Sequence, residues 1–223
     1  MALILNLETA TTNCSVSIAE DGVVIAIKEH NTPNYSHSEQ LHVFIDEVMQ
    51  EASLDRFDLD AVAVSKGPGS YTGLRIGVSA AKGLCFALDI PLISISTLRS
   101  MAEQAKDYEV DFIIPVLDAR RMEVYSQVFN KALQEVRETR AEIIDTHSFH
   151  DYLNKGKVLF LGSGAEKCIE VLGHEHVIYE TGIVPSSREM GRLSLLKFRE
   201  KDFEDVAYFE PYYLKDFILQ GKR

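Results

Sequence analysis

The stretch Leu3-Ile4-Leu5-Asn6-Leu7-Glu8-Thr9-Ala10-Thr11-Thr12-Asn13-Cys14-Ser15-Val16-Ser17-Ile18-Ala19-Glu20-Asp21-Gly22-Val23-Val24-Ile25-Ala26-Ile27-Lys28 decides the fold. Leu3 to Leu7 is a short apolar run that ends in a polar turn, Thr9 to Asn13. Ser15 to Ala19 alternates with period two, and Asp21-Gly22 is a hairpin signal before Val23 to Lys28. Strands joined by such short turns must be antiparallel. The spacing therefore predicts three antiparallel strands at the start.

Helices and strands alternate after them. Ser36 with Glu39 has the spacing of a capping box, and Leu41, Phe44, Ile45 and Val48 recur at helical spacing. Ala61 to Ser65 reads as a buried strand. It runs into Gly67-Pro68-Gly69-Ser70-Tyr71-Thr72-Gly73, which opens a helix to about Leu88. Ile90 to Ser96 reads as a strand and Thr97 to Lys106 as a helix. The second half repeats this order. Phe112 to Leu117, Glu123 to Phe129 and Glu138 to Ile144 read as strands, with a turn at Asp118 to Arg121. Ser148 starts a short helix, Val158 to Leu161 is a strand, and Ser163 with Glu166 has capping-box spacing before another helix. Val177 to Tyr179, a helix after Pro185 to Glu189 that reaches about Lys201, and an aromatic tail from Tyr208 to Leu219 complete the chain. A strand-strand-strand-helix-strand-helix unit thus appears twice, dividing the chain into 1–106 and 107–223. A duplicated unit of that order describes the α/β, two-lobed actin-like architecture shared by sugar kinases and Hsp70-type ATPases. In that fold the turn between the first two strands of each half faces the cleft.

Composition narrows the function classes. The chain has 223 residues, 46% hydrophobic and 26% charged, which excludes disordered and coiled-coil architectures. Its net charge of −11 repels a phosphate backbone at long range. Basic residues pair only at Arg120-Arg121 and Lys222-Arg223. Cys14, Cys85 and Cys168 are odd in number and far apart, so they are no disulfide framework and fit a reducing compartment. The N-terminal run lacks a basic region and is cut by Glu8, unlike a signal peptide. Lys82 and Asp89 break the longest apolar candidate for a membrane span. The expectation is a soluble cytoplasmic protein.

The glycine-rich turn lies between a strand and a helix, where free N–H groups and the positive helix end meet anions. It is not a P-loop, because no Gly-Lys-Ser/Thr follows. Nor is it a Rossmann fingerprint, because the glycines stand at 67, 69 and 73. Either it cradles an anion, or it is a tight turn with a cap. Gly73, Gly77, Ala80 and Ala81 then form a small-residue helix face. Glycine inside a helix costs about 1 kcal/mol against alanine, so another backbone approaches this face. That backbone is either the chain's own or a partner's. Glu8, Thr9, Thr11 and Thr12 offer a carboxylate and hydroxyls at the first turn, suited to a hydrated cation and phosphate oxygens or to ordinary turn bonding. His37 and His42, five apart, diverge by about 140° on a helix, whereas a metal pair needs four. His147/His150 and His174/His176 lack a third ligand. No G-x-S-x-G elbow is present.

Three segments, Ile4 to Ser15, His37 to Leu41 and Lys66 to Gly83, together resemble one family. Gly67-Pro68-Gly69-Ser70-Tyr71-Thr72-Gly73-Leu74-Arg75-Ile76-Gly77 is the most specific part, and Asp118 to Tyr125 and Pro211 to Lys215 add to it. The family is TsaB (YeaZ), bacterial accessory subunits of tRNA threonylcarbamoyladenosine synthesis. The resemblance implies an actin-like fold with no catalysis and no metal of its own. It implies pairing with TsaD, a paralogue that carries a metal and the threonylcarbamoyl-transfer site. A TsaE-type ATPase joins near their junction, and a carbamoyl-adenylate made elsewhere supplies the transferred group. The target is the adenosine beside the anticodon of tRNAs that read codons starting with A. It further implies a homodimer when the chain is alone, contact with tRNA only through the complex, and no cofactor, with ATP at the subunit junction left open. The pairing surface falls on the first two helices, at Leu41, Ile45, Gly73, Ile76, Gly77 and Ala80. On that assignment Gly77→Arg blocks pairing and leaves the chain folded. Glu8, Thr9, Thr11, Thr12, Gly67, Gly69 and Ser70 would be a vestigial phosphate site. The family often has Asp-Thr-Ser where this chain has Glu8-Thr9-Ala10, and the missing serine hydroxyl weakens independent ATP binding. The alternative is an independent actin-like ATPase or small-molecule kinase, which needs a complete phosphate site. A metallopeptidase needs ligands that the sequence lacks.

Overall fold

A computed structural model describes residues 1–33, 36–173 and 175–215. The elements of the first half are β1 (Leu3–Glu8), β2 (Asn13–Glu20), β3 (Val23–Asn31), α1 (His37–Glu51), β4 (Ala61–Gly67), α2 (Tyr71–Leu88), β5 (Leu92–Ser96) and α3 (Thr97–Glu103). Those of the second are β6 (Phe112–Asp118), β7 (Glu123–Asn130), β8 (Glu135–Ile143), α4 (His150–Leu153), β9 (Val158–Leu161), α5 (Ala165–Leu172), β10 (Val177–Glu180) and α6 (Met190–Glu200). Each half builds one five-stranded sheet, β3-β2-β1-β4-β5 and β8-β7-β6-β9-β10. In both, the hairpin-connected strands are antiparallel and the helix-connected strands parallel. Each half therefore continues by one strand and one helix, β5-α3 and β10-α6, beyond the six-element unit of the repeat. This is the actin-like two-lobe fold.

The apolar alternation of the strands is used on both faces. Leu5, Leu7, Val16 and Val62 pack under Leu41, Ile45 and Val48 of α1 and Val78, Ala81 and Cys85 of α2. The opposite face, with Ile4, Ala63, Ile93 and Ile95, packs on Met190 and Leu193 of α6. Leu98, Met101 and Ala102 of α3 pack instead on Ile113, Leu117, Phe129 and Leu161 of the second sheet. The third helix of each half thus covers the other half's sheet, which ties the lobes together.

Two expected caps do not form. Ser36 makes no side-chain cap; its φ of −113° and ψ of 14° leave the extended geometry that aims a hydroxyl at N2 or N3. Gly164, not Ser163, precedes α5, and the Ser163 hydroxyl accepts from the Asp118 N–H at 3.1 Å. Beyond α6, Phe209 of the expected aromatic tail packs back onto the first core, and so does Val206 just before it. His174, the tail from 216 to Leu219, and Lys222-Arg223 lie outside the described residues. Among the described residues no helix is long and apolar enough to cross a membrane.

Candidate functional site

The β1–β2 turn and the glycine-rich β4–α2 turn meet at the mouth of the cleft between the halves. Glu8 is buried at the end of β1, and its Oε1 accepts the Ala10 N–H at 2.6 Å. The Ala10 carbonyl accepts the Ser70 N–H at 2.6 Å. The Thr9 hydroxyl donates to the Gly73 carbonyl at 2.8 Å, and Ser70 Oγ caps the Gly73 N–H at 3.3 Å. Three glycines make this approach possible. A Cβ at Gly69 would strike the Ala10 carbonyl, one at Gly73 the Thr9 carbonyl, and one at Gly77 the Thr9 hydroxyl. The backbone that approaches α2 is the chain's own.

This corrects part of the expected pairing surface. Leu41 and Ile45 are buried in the first core, and Gly73 and Gly77 face Thr9. None of the four is available to a partner. An arginine at Gly77 would strike the Thr9 hydroxyl of its own chain before it met a partner. Ile76 and Ala80 do line a groove between α1 and α2, of about 740 Å³, together with His37, Ser38, His42, Tyr71, Thr72, Arg75, Ser79, Gly83 and Leu84. Gly83 differs from the other two interior glycines of α2, because a Cβ there meets nothing within 4 Å. Its recurrence with Ile76 and Ala80 at spacings of four and three was the available signal; the Gly73/Gly77 pair drew attention to the wrong face.

The expected phosphate residues lie near one another, and several of their donors are already paired within the chain. Thr11 and Thr12 line the cleft with Ser70. Thr12 Oγ1 donates to Asn31 Oδ1 at 2.7 Å, and the N–H groups of Ala10, Ser70 and Gly73 are all paired within the chain. Gly67, at φ +106°, supplies the turn entering α2. Burial pushes the Glu8 carboxyl up to about 7, only partly offset by the Ala10 N–H. On the opposite wall Asp118 is paired within the chain, beside Arg120 and Arg121, which also line the cleft. Asp118 Oδ1 accepts the Arg120 N–H at 2.5 Å and Lys167 Nζ at 2.7 Å. The whole cleft measures about 1380 Å³, and Tyr212, Tyr213 and Lys215 of the C-terminal segment form part of its lining.

The ring Nε2 of buried His37 bonds to the Thr11 carbonyl at 2.7 Å, and burial holds its pKa below the usual imidazole value. His42 lies on the groove. Among the described residues no group of three or more histidines, cysteines or acids could hold a metal. All three cysteines are buried free thiols, pushed up to about 12.

The family model of tRNA N6-adenosine threonylcarbamoyltransferase, TsaD, matches residues 31–180. The chain is 36% identical to the tRNA threonylcarbamoyladenosine biosynthesis protein TsaB of Haemophilus influenzae, over 98% of this chain and 96% of that protein. It is 30% identical to TsaB of Bacillus subtilis, over 95% and 93%. A solved Pseudomonas aeruginosa protein, described as similar to peptidase YeaZ, superposes with a TM-score of 0.86 at 21% identity, covering 96% of this chain and all of that one.

Proposed function

The chain belongs to the TsaB branch of the threonylcarbamoyltransferase family, and from that premise we propose that it is the non-catalytic subunit that pairs with a TsaD-type transferase. It serves tRNA threonylcarbamoyladenosine biosynthesis. The observation that carries the non-catalytic reading is the internal pairing of the cleft-mouth donors. An actin-like ATPase holds phosphates with the backbone N–H groups of these turns. Here Ala10, Ser70 and Gly73 spend theirs on Glu8, on the Ala10 carbonyl and on Ser70 Oγ.

The pairing face is the α1/α2 groove. Its floor is small, with Ala80 and Gly83, so a partner helix comes close; its rim carries Arg75 and His42. The same face serves self-pairing when the partner is absent. A TsaE-type ATPase joins at the junction, any ATP binds there rather than in this chain alone, and tRNA is reached through the complex. Pairing stabilises the transferase in its active arrangement by binding that state more tightly.

Size-exclusion chromatography with light scattering, on the chain alone and mixed with the TsaD-type paralogue, tests the reading. A 1:1 complex formed at the expense of the homodimer is expected. Failure to form one, with and without nucleotide, overturns it. Micromolar binding and turnover of Mg-ATP by the isolated chain would favour the ATPase alternative instead.

A further inference from the structure

We propose that residues 211–215 are a latch that ties the two lobes together across the cleft and sets the Tyr71 side of the partner groove. The segment is first moored on α2, where Lys82 Nζ donates to the carbonyls of Ala207 at 3.1 Å and Phe209 at 3.0 Å. The Tyr212 N–H then bonds the Lys66 carbonyl at the C-terminal end of β4, at 2.7 Å. The Tyr213 ring packs on the Tyr71 ring at 4.7 Å between centroids. Two residues later the chain has crossed to the other lobe. Lys215 Nζ donates to the Ala119 carbonyl at 3.2 Å, pairs with the Glu123 carboxylate, and lies over the Tyr125 ring at 5.7 Å.

The attachment is asymmetric. On the first lobe it combines a backbone bond with an aromatic pair. On the second it rests on one lysine, partly exposed to solvent. A tie of that kind releases at its lysine end first, since a partly exposed ion pair is weak. Tyr71 gives the latch its reach. It lines both the cleft and the α1/α2 groove, and the Arg75 guanidinium lies 5.1 Å from its ring centre on the groove side of the helix. Tyr213 therefore holds a residue that a groove-bound partner also touches. Closure of the cleft and occupation of the groove favour the same Tyr71 position, so each shifts the population of the other. The second half of the proposal rests on the groove being the pairing face; the first half does not.

The test places spin labels on each lobe, at Val43→Cys on α1 and Glu138→Cys on β8, both exposed. The three native cysteines are buried, so the introduced pair takes the labels. Pulsed electron paramagnetic resonance then reads the interlobe distance in the full chain. One narrow distribution is expected, and Tyr213→Ala and Lys215→Met each broaden it and shift it longer. Tyr208→Ala, whose side chain is exposed beside the moored segment, leaves it unchanged. Titration of the unlabelled chain and of unlabelled Tyr213→Ala, both with Val43 and Glu138 intact, with the TsaD-type paralogue should show pairing weakened roughly three- to tenfold by the substitution, the range of a lost aromatic pair. Unchanged distributions in both latch variants overturn the latch. Altered distributions with undiminished pairing overturn the coupling. If even the unsubstituted chain does not pair, the groove reading fails while the distances still judge the latch.

Discussion

Two glycines six residues apart on α2 should respond to the same substitution with opposite sign. At Gly77 an added methyl meets the Thr9 hydroxyl, which must leave the Gly73 carbonyl it bonds at 2.8 Å. Losing a buried hydrogen bond and stranding its groups costs about 1–3 kcal/mol. Forcing a methyl into a filled contact costs about 1–3 kcal/mol more. The helix propensity of alanine returns about 1 kcal/mol. Gly77→Ala should therefore destabilise by about 3 kcal/mol, lowering Tm by roughly 6–12 °C for a chain of this size. At Gly83 the methyl meets nothing within 4 Å, so only the propensity remains. Gly83→Ala should stabilise by about 1 kcal/mol, or roughly 2–4 °C. Urea and thermal unfolding of the two variants, followed by circular dichroism, measures both. Thr9→Ala removes the clashing oxygen, so in the double variant the two costs should fall short of additivity by about 1–2 kcal/mol. A Gly77→Ala protein as stable as the parent, or strictly additive costs, would refute the claim that α2 is hollowed to receive the β1–β2 turn.

Other predictions follow from the same geometry. Gly83→Arg should leave the chain folded but weaken pairing with the TsaD-type paralogue by roughly 30-fold or more, as a blocked interface centre does; light scattering that still shows the full complex would remove Gly83 from the face. The pH dependence of stability has a definite sign. Glu8, pushed up to about 7 from 4.5 by burial, keeps a proton in the folded state that the unfolded chain releases. Stability should then fall as pH rises from about 4.5 to about 7 and level off above, with Glu8 contributing on the order of 3 kcal/mol. Glu189, also pushed to about 7 by burial, adds in the same direction. Glu8→Gln should flatten part of that slope in urea midpoints taken across the window, and an unchanged slope would count against the buried carboxyl. A thiol reagent at neutral pH should label none of Cys14, Cys85 and Cys168 in the native protein and all three in denaturant, since each thiol is buried and pushed up to about 12; rapid native labelling would show that one of these sites opens.

Much of the fold was legible because local rules suffice for it. The alternation in Ser15 to Ala19 and the apolar run Val158 to Leu161 each place a strand within two residues of its observed ends, and the hairpin signal at Asp21-Gly22 places the start of β3 at Val23, although that strand runs three residues beyond Lys28. The glycine-rich turn marks the start of α2, where Ser70 does cap the helix. The capping boxes at Ser36 and Ser163 failed because spacing alone does not set the backbone angles that aim a hydroxyl. At Ser36 those angles are not extended, and at Ser163 the hydroxyl found the Asp118 N–H instead.

The site was legible as residues but not as an arrangement. Glu8, Thr9 and the glycines at 67, 69 and 73 were singled out, and the fold does bring them together. Whether their polar groups face a ligand or one another depends on how far the β1–β2 turn sinks into α2, a contact between segments some 64 positions apart. Periodicity says which residues share a helix face. It does not say what covers that face, because the covering group comes from elsewhere in the chain or from another chain, and a glycine reads the same in either case. Element order, the duplication and the location of the special turn were readable because they are properties of neighbours along the chain. Long-range packing settled that Gly73 and Gly77 are spent inside while Gly83 stays open, that α3 and α6 exchange sheets, and that the C-terminal segment bridges the lobes. Each of those is a packing choice between distant segments, settled by which apolar and polar surfaces can be buried together at once.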